Sequence, residues 1–501
     1  MHRLSLRTTK TKSGATAVQV VQYTNHKIQV IRHLGSSHTD EELASLISAA
    51  KIYIAENTPQ KSLFEDRKTS KLLHIDHVRI EGVAHNFARN FLHQCAHKIG
   101  LVLDPLYIDL AIMRIIEPAS KRRTLELLLR YFGIQYSGRI YRTFKNFHKS
   151  KEAVERAAFT CAKQMLSENF FLVLYDVTTL YFETHKADDD LRRRGYSKDH
   201  KENQPQIVIG LLVTRSGFPL AHEVFHGKTF EGHTMLGILE SFAKIHNTVV
   251  PTVVADAAML SADNIAKLKE KGISYIVGAR LANAGPGIIA KVSAALRKQD
   301  GAMIRIPAKH GDMVCSFSEK RYSKDKHEMD KQIARAKELI GQNETGGRAK
   351  FVQKNGAGAV LLNETLIKKT ELLLGIKGYC TNIPAHTVSD EQVAAYYRDL
   401  WNVEQAFRMS KNDLETRPIF HHKEDAIRAH VLLCFVSLMI GRYLEISTKL
   451  SLRSIRDLIW GVTDVCIRDT LSGDVHTLQS STEEVMKSNL GTLMEKWKKP
   501  Y

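Results

Sequence analysis

The sequence contains little that would mark a membrane protein or a secreted protein. Its longest apolar run, residues 431–441, spans eleven residues and is interrupted by Ser437, whereas a helix that crosses a bilayer needs about 20 apolar residues. The first ten residues are mostly polar or basic and contain no apolar segment of the kind that a secretory signal has. We therefore expect a cytoplasmic protein with no membrane partner.

Cysteine is scarce, and its spacing fits neither a zinc site nor a disulfide framework. The sequence has six cysteines, none of which belongs to a C-x-x-C pair. Structural zinc sites and disulfide-rich domains both need closely spaced cysteines. The sequence also shows no internal repeat and no low-complexity tract, so we expect globular domains in a reducing compartment.

Acidic residues are too few to balance the basic ones. Lys and Arg number 72 against 54 Asp and Glu, which gives a formal net charge of +18 and a pI near 9.4. Such an excess favours a polyanionic partner, and in the absence of a membrane segment nucleic acid is the favoured one. The length of 501 residues predicts about two to four domains.

The first 100 residues predict a hairpin followed by a helix. Residues 17–23 and 27–32 alternate apolar and polar side chains on either side of a short turn. Thr39, followed by three acidic residues, predicts the start of a helix that runs to Ile54.

Residues 101–168 are predicted to be helical and to bind DNA. One helix ends at Gly133 and a second begins near Gly138, an arrangement that resembles a helix-turn-helix. Arg139, Arg142 and Lys145 recur every three residues and would lie along one face of the second helix. These residues are candidate DNA contacts; the alternative is a solvated basic face on a linking helix.

From residue 169 onward, strands and helices alternate. Five strands are predicted, with the third and fourth and the fourth and fifth separated by helices: 170–182, 206–213, 220–225, 249–256 and 273–278. The apolar run of the first strand ends in Asp176, and the fourth strand ends in Asp256. If these two strands are adjacent and parallel in a mixed sheet, the two carboxylates lie within a few ångströms of each other.

A late helix, predicted over residues 396–411, carries a third acid. Steps of four and three residues place one set of large side chains on a single face of this helix: Tyr397, Trp401, Glu404, Arg408 and Lys411. The alternative is an exposed helix with an ordinary Glu404–Arg408 ion pair. For Trp401, stacking on an unpaired base and packing in a core are both open.

Three clustered carboxylates need cations between them, because they repel one another and lose hydration. Asp176, Asp256 and Glu404 are therefore predicted as the catalytic residues and metal ligands. Oxygen ligands favour Mg²⁺ or Mn²⁺. Two such ions about 3.5–4 Å apart activate a water or a 3′-hydroxyl in phosphodiester chemistry.

The late helix resembles the signature of bacterial insertion-sequence transposases of the DDE class, in the branch marked by Y-x2-R-x3-E-x6-K. Tyr397, Glu404 and Lys411 match this pattern, whereas Leu400 stands at the Arg position. Residues 175–183 and 253–261 resemble the two aspartate motifs of the family. The resemblance covers about residues 170–440.

The resemblance implies an α/β fold with a ribonuclease H-like mixed-sheet catalytic core, an inserted strand-containing subdomain and a preceding helical DNA-binding region. It implies that the three acids hold two divalent ions, that terminal inverted repeats are cleaved, and that the freed ends are joined to target DNA in cut-and-paste transposition. Tyr397 and Lys411 would contact the transposon end, and a homodimer would hold two ends together. Arg408, on the face of Glu404, would supply the phosphate contact that Leu400 lacks.

The predicted domains follow these patterns. They are an N-terminal hairpin and helical region (1–100), a helical DNA-binding region (101–168), the first part of the core (169–280), an insertion (281–388), the second part of the core (389–447) and a C-terminal helical region (448–501). Two other functions are open: a DNA-binding regulator with an inactive nuclease-like core, and a sugar hydrolase with paired carboxylates. The three acids argue against the regulator, and the third acid and the net charge argue against the sugar hydrolase.

Overall fold

The computed structural model of the chain describes most of its residues. The described residues are 4–24, 27–57, 75–136, 140–183, 191–195, 203–229, 234–257, 261–296, 298–308, 311–341, 350–354, 360–470 and 473–498. The strands are β1 (Leu4–Lys10), β2 (Thr16–Thr24), β3 (Lys27–Ser37), β4 (Val78–Ala84), β5 (Leu172–Tyr181), β6 (Gln206–Val213), β7 (Pro219–His226), β8 (Thr252–Ala255), β9 (Tyr275–Ala279), β10 (Met303–Ala308), β11 (Gly311–Phe317), β12 (Val352–Lys354), β13 (Val360–Leu362), β14 (Ile376–Thr381), β15 (Asp464–Asp469) and β16 (Val475–Gln479). The helices are α1 (Asp40–Asn57), α2 (Asn86–Ile99), α3 (Pro105–Ile116), α4 (Lys121–Phe132), α5 (Ile140–Phe144), α6 (Lys151–Gln164), α7 (Met235–His246), α8 (Ala262–Glu270), α9 (Pro286–Leu296), α10 (Glu319–Gly341), α11 (Glu364–Leu372), α12 (Asp390–Arg398), α13 (Trp401–Arg408), α14 (Glu424–Thr448), α15 (Leu452–Trp460), α16 (Glu483–Lys487) and α17 (Asn489–Lys498).

The chain forms two compact units. The first comprises the described residues within Met1–Ala88, Arg130–Gly133 and Trp460–Glu483. In it, β1, β2 and β3 form an antiparallel sheet covered by α1, so the predicted hairpin and helix are both present. Their small core consists of Val18, Val20, Leu34, Leu46 and Ala50.

A second sheet in the first unit, of order β16-β15-β4, corrects the prediction for the C-terminal region. Residues 448–501 were predicted to be helical, but β15 and β16 form an antiparallel hairpin, and β15 also pairs with β4. β15 and β4 are far apart in the sequence. Local pattern does not reveal such a pairing, because strand formation depends on the neighbouring strand.

The second unit, from described residues within Arg89–Leu129, Ile134–Ile459 and Glu484–Tyr501, is built around one eight-stranded mixed sheet. Its order is β10-β11-β14-β9-β8-β5-β6-β7. β5, β6 and β7 form an antiparallel meander, whereas β8 is parallel to β5 and β9 is parallel to β8. The predicted adjacency of the first and fourth core strands, in parallel orientation, is confirmed.

The predicted insertion extends this sheet. β14 pairs antiparallel with β9, and β11 and β10 continue the sheet outward. Beside them, α10, α11 and the short β12–β13 hairpin enclose a small core of Met329, Ala336, Phe351, Ile367 and Leu374. Three strands within residues 281–388, β10, β11 and β14, are thus continuous with the core sheet, whereas β12 and β13 pair only with each other.

The long helix α14 is the central helix of the second unit. Its length and composition would allow it to cross a membrane, but 89% of its apolar 18-residue stretch is buried within the fold. It packs on α3 and β7, and the Ser437 hydroxyl donates a hydrogen bond to the Ala111 carbonyl at 3.0 Å. Its hydrophobicity is therefore that of a core helix.

The second helix of the predicted helix-turn-helix is short, and residues 137–139 of its turn lie outside the described residues. α5 has five residues, and a 3₁₀ segment, Lys145–Ser150, follows it directly. Phe144 and Phe147 are both buried, and their three-residue spacing matches the period of a 3₁₀ helix. Arg142 and Lys145 are exposed, whereas Arg139 lies outside the described residues. DNA contact by these residues stays a prediction.

Candidate active site

Asp176 ends the apolar run of the first core strand but lies in the middle of that strand, β5. β5 continues five residues beyond it to Tyr181, because this second half pairs with β6 as far as Gln206. Asp176 itself is opposite Leu211 of β6. A carboxylate in mid-sheet is held more rigidly than one in a loop, because its backbone is fixed by neighbouring strands.

The strand register brings Asp256 alongside Asp176. β5 and β8 are parallel, with Leu174 opposite Val254. Two residues further along each strand direction, the same register sets Asp176 opposite Asp256, which directly follows β8. Residues at equal distance from a paired position point to the same face of a sheet, so the register sets both aspartates on one face, at the carboxyl end of β8.

The predicted helix over 396–411 is in fact two helices followed by a π-helical segment. α12 ends at Arg398, α13 begins at Trp401, and Met409–Asp413 forms the π turn. The interruption is held from the β6–β7 turn: Arg215 donates two hydrogen bonds to Asp399 Oδ2 at 2.9 and 2.7 Å, and its carbonyl accepts one from the Asn402 side chain. The two helices therefore do not share one continuous face.

After the interruption, α13 packs on β5 and β6 and brings Glu404 to Asp176. Both acids line an open pocket of about 290 Å³, together with Thr178, Phe407, Arg408, Lys411 and Asn412. Four residues predicted for the site thus surround one pocket, with two acids and two cations on its wall. π-helical turns such as the one that carries Lys411 occur frequently at functional sites.

Asp256 is joined to this cluster through Tyr397. The Tyr397 hydroxyl donates a hydrogen bond to Asp256 Oδ1 at 3.1 Å. Burial raises the pKa of Tyr397 well above its usual value, and the charges of Asp256 and Glu404 raise it further. Tyr397 is therefore within electrostatic range of both Asp256 and Glu404.

A glycine makes this contact sterically possible. Gly278 in β9 faces the Tyr397 ring, and a Cβ at residue 278 would lie 2.5 Å from the Tyr397 hydroxyl oxygen and 3.1 Å from Cζ. Both distances are shorter than ordinary van der Waals contacts, so any side chain at 278 would displace the tyrosine.

Tyr397 and Leu400 are core residues in the described structure. Tyr397 is 7% exposed and Leu400 is 6% exposed, whereas Trp401 is 57% exposed. Trp401 therefore does not pack in the core. The residue at the position where the signature has Arg points into the interior, which fits its replacement by Leu.

Sequence reasoning missed Lys377. This residue lies in β14, where its ammonium nitrogen is 4.5 Å from the Tyr397 ring centroid and 5.9 Å from that of Tyr379. Burial lowers its pKa, and so does Arg321, whereas Asp256 and Glu404 raise it. The only signal in the sequence was one lysine inside an otherwise uncharged strand, IKGYCT.

The acid cluster has the chemistry of a site for a hard divalent cation. Its donors are all carboxylate oxygens, which suit Mg²⁺ or Mn²⁺. The hydrogen bonds that Tyr397 and the Ala257 backbone N–H donate to Asp256 both end on Oδ1. Within the part of the chain that the structure describes, no three His, Cys, Asp or Glu side chains are close enough together to enclose an ion. The donor set therefore fits a metal, but the side chains are not closed around one.

Comparison with known proteins gives a match by family and matches by structure. Residues 172–440, more than half of the chain, match the family model described as "Transposase DDE domain". A solved structure described as "Cryo-EM structure of piggyBac transposase synaptic complex with hairpin DNA (SNHP)" is similar with a TM-score of 0.36 and 9% identity, over 75% of this chain and 79% of that chain. Comparison with curated protein sequences gave no match.

Proposed function

Because this chain belongs to the family of transposases with a DDE domain, we propose that it moves a bacterial insertion sequence. In this proposal it binds the terminal inverted repeats, cleaves the DNA there and joins the freed ends to target DNA. The observation that carries the proposal is that Asp176 and Glu404, two acids far apart in the sequence, line one pocket, while the parallel register of β5 and β8 sets Asp256 beside Asp176.

We infer that the catalytic core is ribonuclease H-like. The inference is supported by the strand order β7-β6-β5-β8-β9, in which a three-stranded antiparallel meander is followed by two parallel strands. This order makes the central strand β5 the neighbour of β8, so each contributes one of the two aspartates.

The chain's own residues provide a binding and orienting frame for the reaction. Asp176, Asp256 and Glu404 would hold divalent cations, Mg²⁺ or Mn²⁺. When bound, two such ions would activate a water or a 3′-hydroxyl and stabilise the leaving oxygen. Tyr397 fixes the orientation of Asp256 by its hydrogen bond, while Arg408 and Lys411 give the pocket the positive charge that a phosphate needs.

Double-stranded DNA is the proposed partner, both as transposon end and as target. The net charge of +18 supports a polyanionic partner, and Arg142 and Lys145 are exposed cations that would add contacts outside the pocket. Arg139 is proposed with them on sequence grounds alone. Because two ends must be held together for cut-and-paste transposition, we propose a homodimer on DNA. We place it in the bacterial cytoplasm, at the nucleoid when bound.

A regulator with an inactive nuclease-like core is the second candidate. It would need only the DNA-binding cations and would have no use for two acids on one pocket with a third on the neighbouring strand. The grouping of Asp176 and Glu404 around one pocket therefore favours the enzyme.

Cleavage of labelled DNA that carries the sequences flanking the gene tests the proposal. The wild-type protein should nick or cut the end in Mg²⁺ or Mn²⁺ and lose this activity in EDTA. Asp176→Asn should abolish cleavage and retain DNA binding, because it removes a charge but keeps the shape of the side chain. Asp263→Asn is the matched control, since Asp263 pairs with Lys267 on the exposed side of α8.

Unchanged cleavage by Asp176→Asn would overturn the assignment of the acids. A wild-type protein that binds the ends but cleaves nothing in either metal would favour the regulator.

A further inference from the structure

Lys377 has an unusual environment for a lysine. It lies in β14 within the large sheet, half-buried, with its ammonium nitrogen 4.5 Å from the Tyr397 ring centroid and 5.9 Å from the Tyr379 centroid. The two rings are neighbours, with centroids 5.0 Å apart. Aromatic faces attract cations, so these two side chains hold the head of Lys377 in one place.

The charges around Lys377 are those of the acid cluster. Asp256 and Glu404 act on it electrostatically, and Arg321 is the cation that opposes them. Yet Lys377 takes part in none of the ion pairs found within 4.0 Å among the described residues. The ammonium group rests on the ring whose hydroxyl is bonded to Asp256, while none of the ion pairs among the described residues joins it to a carboxylate.

A held ammonium group with available donors beside catalytic acids suits a phosphate oxygen. Lysine binds phosphate as a compact point charge with three rotatable donors. A lysine that served only to neutralise the acids would gain most by forming a direct ion pair with one of them. Lys377 instead rests on two rings, which fixes its position and leaves its charge for another group.

We propose that Lys377 binds a DNA backbone phosphate at the acid cluster and that Tyr397 positions it. This proposal rests on the proposed function, because it deepens the same site by one phosphate contact. Tyr397 would then have two separable roles, since its hydroxyl holds Asp256 and its ring holds Lys377.

The test compares Lys377→Met, Lys377→Arg and Lys368→Met in the full-length protein. Met keeps the length of the lysine side chain without its charge, and Arg keeps both the charge and the ring contact. Lys368 lies exposed on α11, so its replacement makes the same change in net charge away from the aromatic rings. Binding to a labelled DNA end is measured in EDTA over a range of salt concentrations, and cleavage is measured in Mn²⁺.

Lys377→Met should lower cleavage about 10- to 100-fold, the size expected from loss of one charge-assisted hydrogen bond. It should also reduce the slope of log affinity against log salt by about 1, the value for one lost phosphate contact. Lys377→Arg should restore most of both quantities, and Lys368→Met should change neither cleavage nor the slope to this extent.

Two results would overturn the proposal. In the first, Lys377→Met has the same salt slope and cleavage rate as Lys368→Met. In the second, Lys377→Met binds Mn²⁺ more tightly than the wild type and its salt slope is unchanged. The second result would mean that Lys377 only occupies the place of a metal ion. If the wild-type protein cleaves no DNA at all, the proposed function fails, while the salt slope in EDTA still decides the role of Lys377.

Discussion

At the scale of single residues, Tyr397 is the side chain whose place in the structure differs most from its predicted role. Its place in the signature pattern predicted a DNA contact. In the structure it is buried, and its hydroxyl is bonded to Asp256. A side chain that is 7% exposed has little surface to offer to DNA, so we propose instead that Tyr397 orients Asp256, one of the proposed metal ligands.

Replacing Tyr397 by Phe should separate its hydroxyl from its ring. Cleavage should fall about 10-fold, because Asp256 loses one hydrogen bond to its charged group, while DNA binding should stay unchanged because the ring still supports Lys377. Tyr396→Phe is the control, since the Tyr396 ring contacts Arg215 and that contact survives. Equal cleavage by both variants would contradict the assigned role.

A methyl group at residue 278 should have a larger effect than the loss of the hydroxyl. In Gly278→Ala the new Cβ would lie 2.5 Å from the Tyr397 hydroxyl oxygen, so the ring must move and Asp256 and Lys377 both lose their support. We expect cleavage below that of Tyr397→Phe and a weaker salt dependence of DNA binding. Gly285→Ala, where nothing lies within 4 Å of the added Cβ, should behave as wild type.

At the scale of elements, the π-helical segment Met409–Asp413 depends on the helix α3. Arg114 of α3 is buried and donates hydrogen bonds to the carbonyls of Leu414 and Glu415 at 2.9 and 3.0 Å. His430 of α14 is within hydrogen-bond distance of the Thr416 carbonyl, at 3.0 Å. The chain that follows Lys411 is thus held from two helices, which fixes where the π segment ends.

Arg114→Met should destabilise the protein by about 2–4 kcal/mol, because buried carbonyls lose their donors. The midpoint of urea denaturation should shift to lower concentration, and cleavage should fall as Lys411 loses its fixed position. Arg122→Met is the matched control on α4, since that side chain is 86% exposed and surface changes usually stay within about 0.5 kcal/mol. A midpoint equal to that of the control would show that the carbonyls find other donors.

At the scale of the whole molecule, the cations behind the net charge of +18 are not all on the surface. One of them, Lys121, is buried in the second unit. Lys121 is buried beside His430, with Nζ and Nδ1 3.3 Å apart, and 4.9 Å from the Phe144 ring centroid. Burial, and to a smaller extent the charge of Arg114, lowers the pKa of Lys121 to about 7. Burial likewise lowers the pKa of the neighbouring His421 to about 4.

These shifts predict that stability rises with pH above neutrality. Below pH 7 Lys121 is charged in both states and its burial costs free energy; above its unfolded pKa of 10.5 it is neutral in both. Between these values the unfolded state binds more protons, so the free energy of unfolding rises with pH. Between pH 7 and pH 10, the melting temperature should rise less in Lys121→Met than in the wild type. An equal increase would show that Lys121 is not its source.

Local pattern determined much of the second unit. Apolar runs and turns identified the five core strands and their order along the chain, because a buried strand and a tight turn can each be recognised from local composition. The same patterns singled out Asp176, Asp256 and Glu404 as charged residues at the margins of apolar elements. Domain limits and DNA contacts drawn from these patterns stay predictions.

Other features were decided only by tertiary structure, since they depend on contacts between distant parts of the chain. Pairing with β6 placed Asp176 in mid-strand, pairing with β4 made β15 a strand, and pairing with β9 joined the insertion to the core sheet. Packing alone decided that Tyr397 is buried and that Lys377 rests on its ring. Sequence determined which charged groups the site contains, and the register of the sheet determined which of them meet.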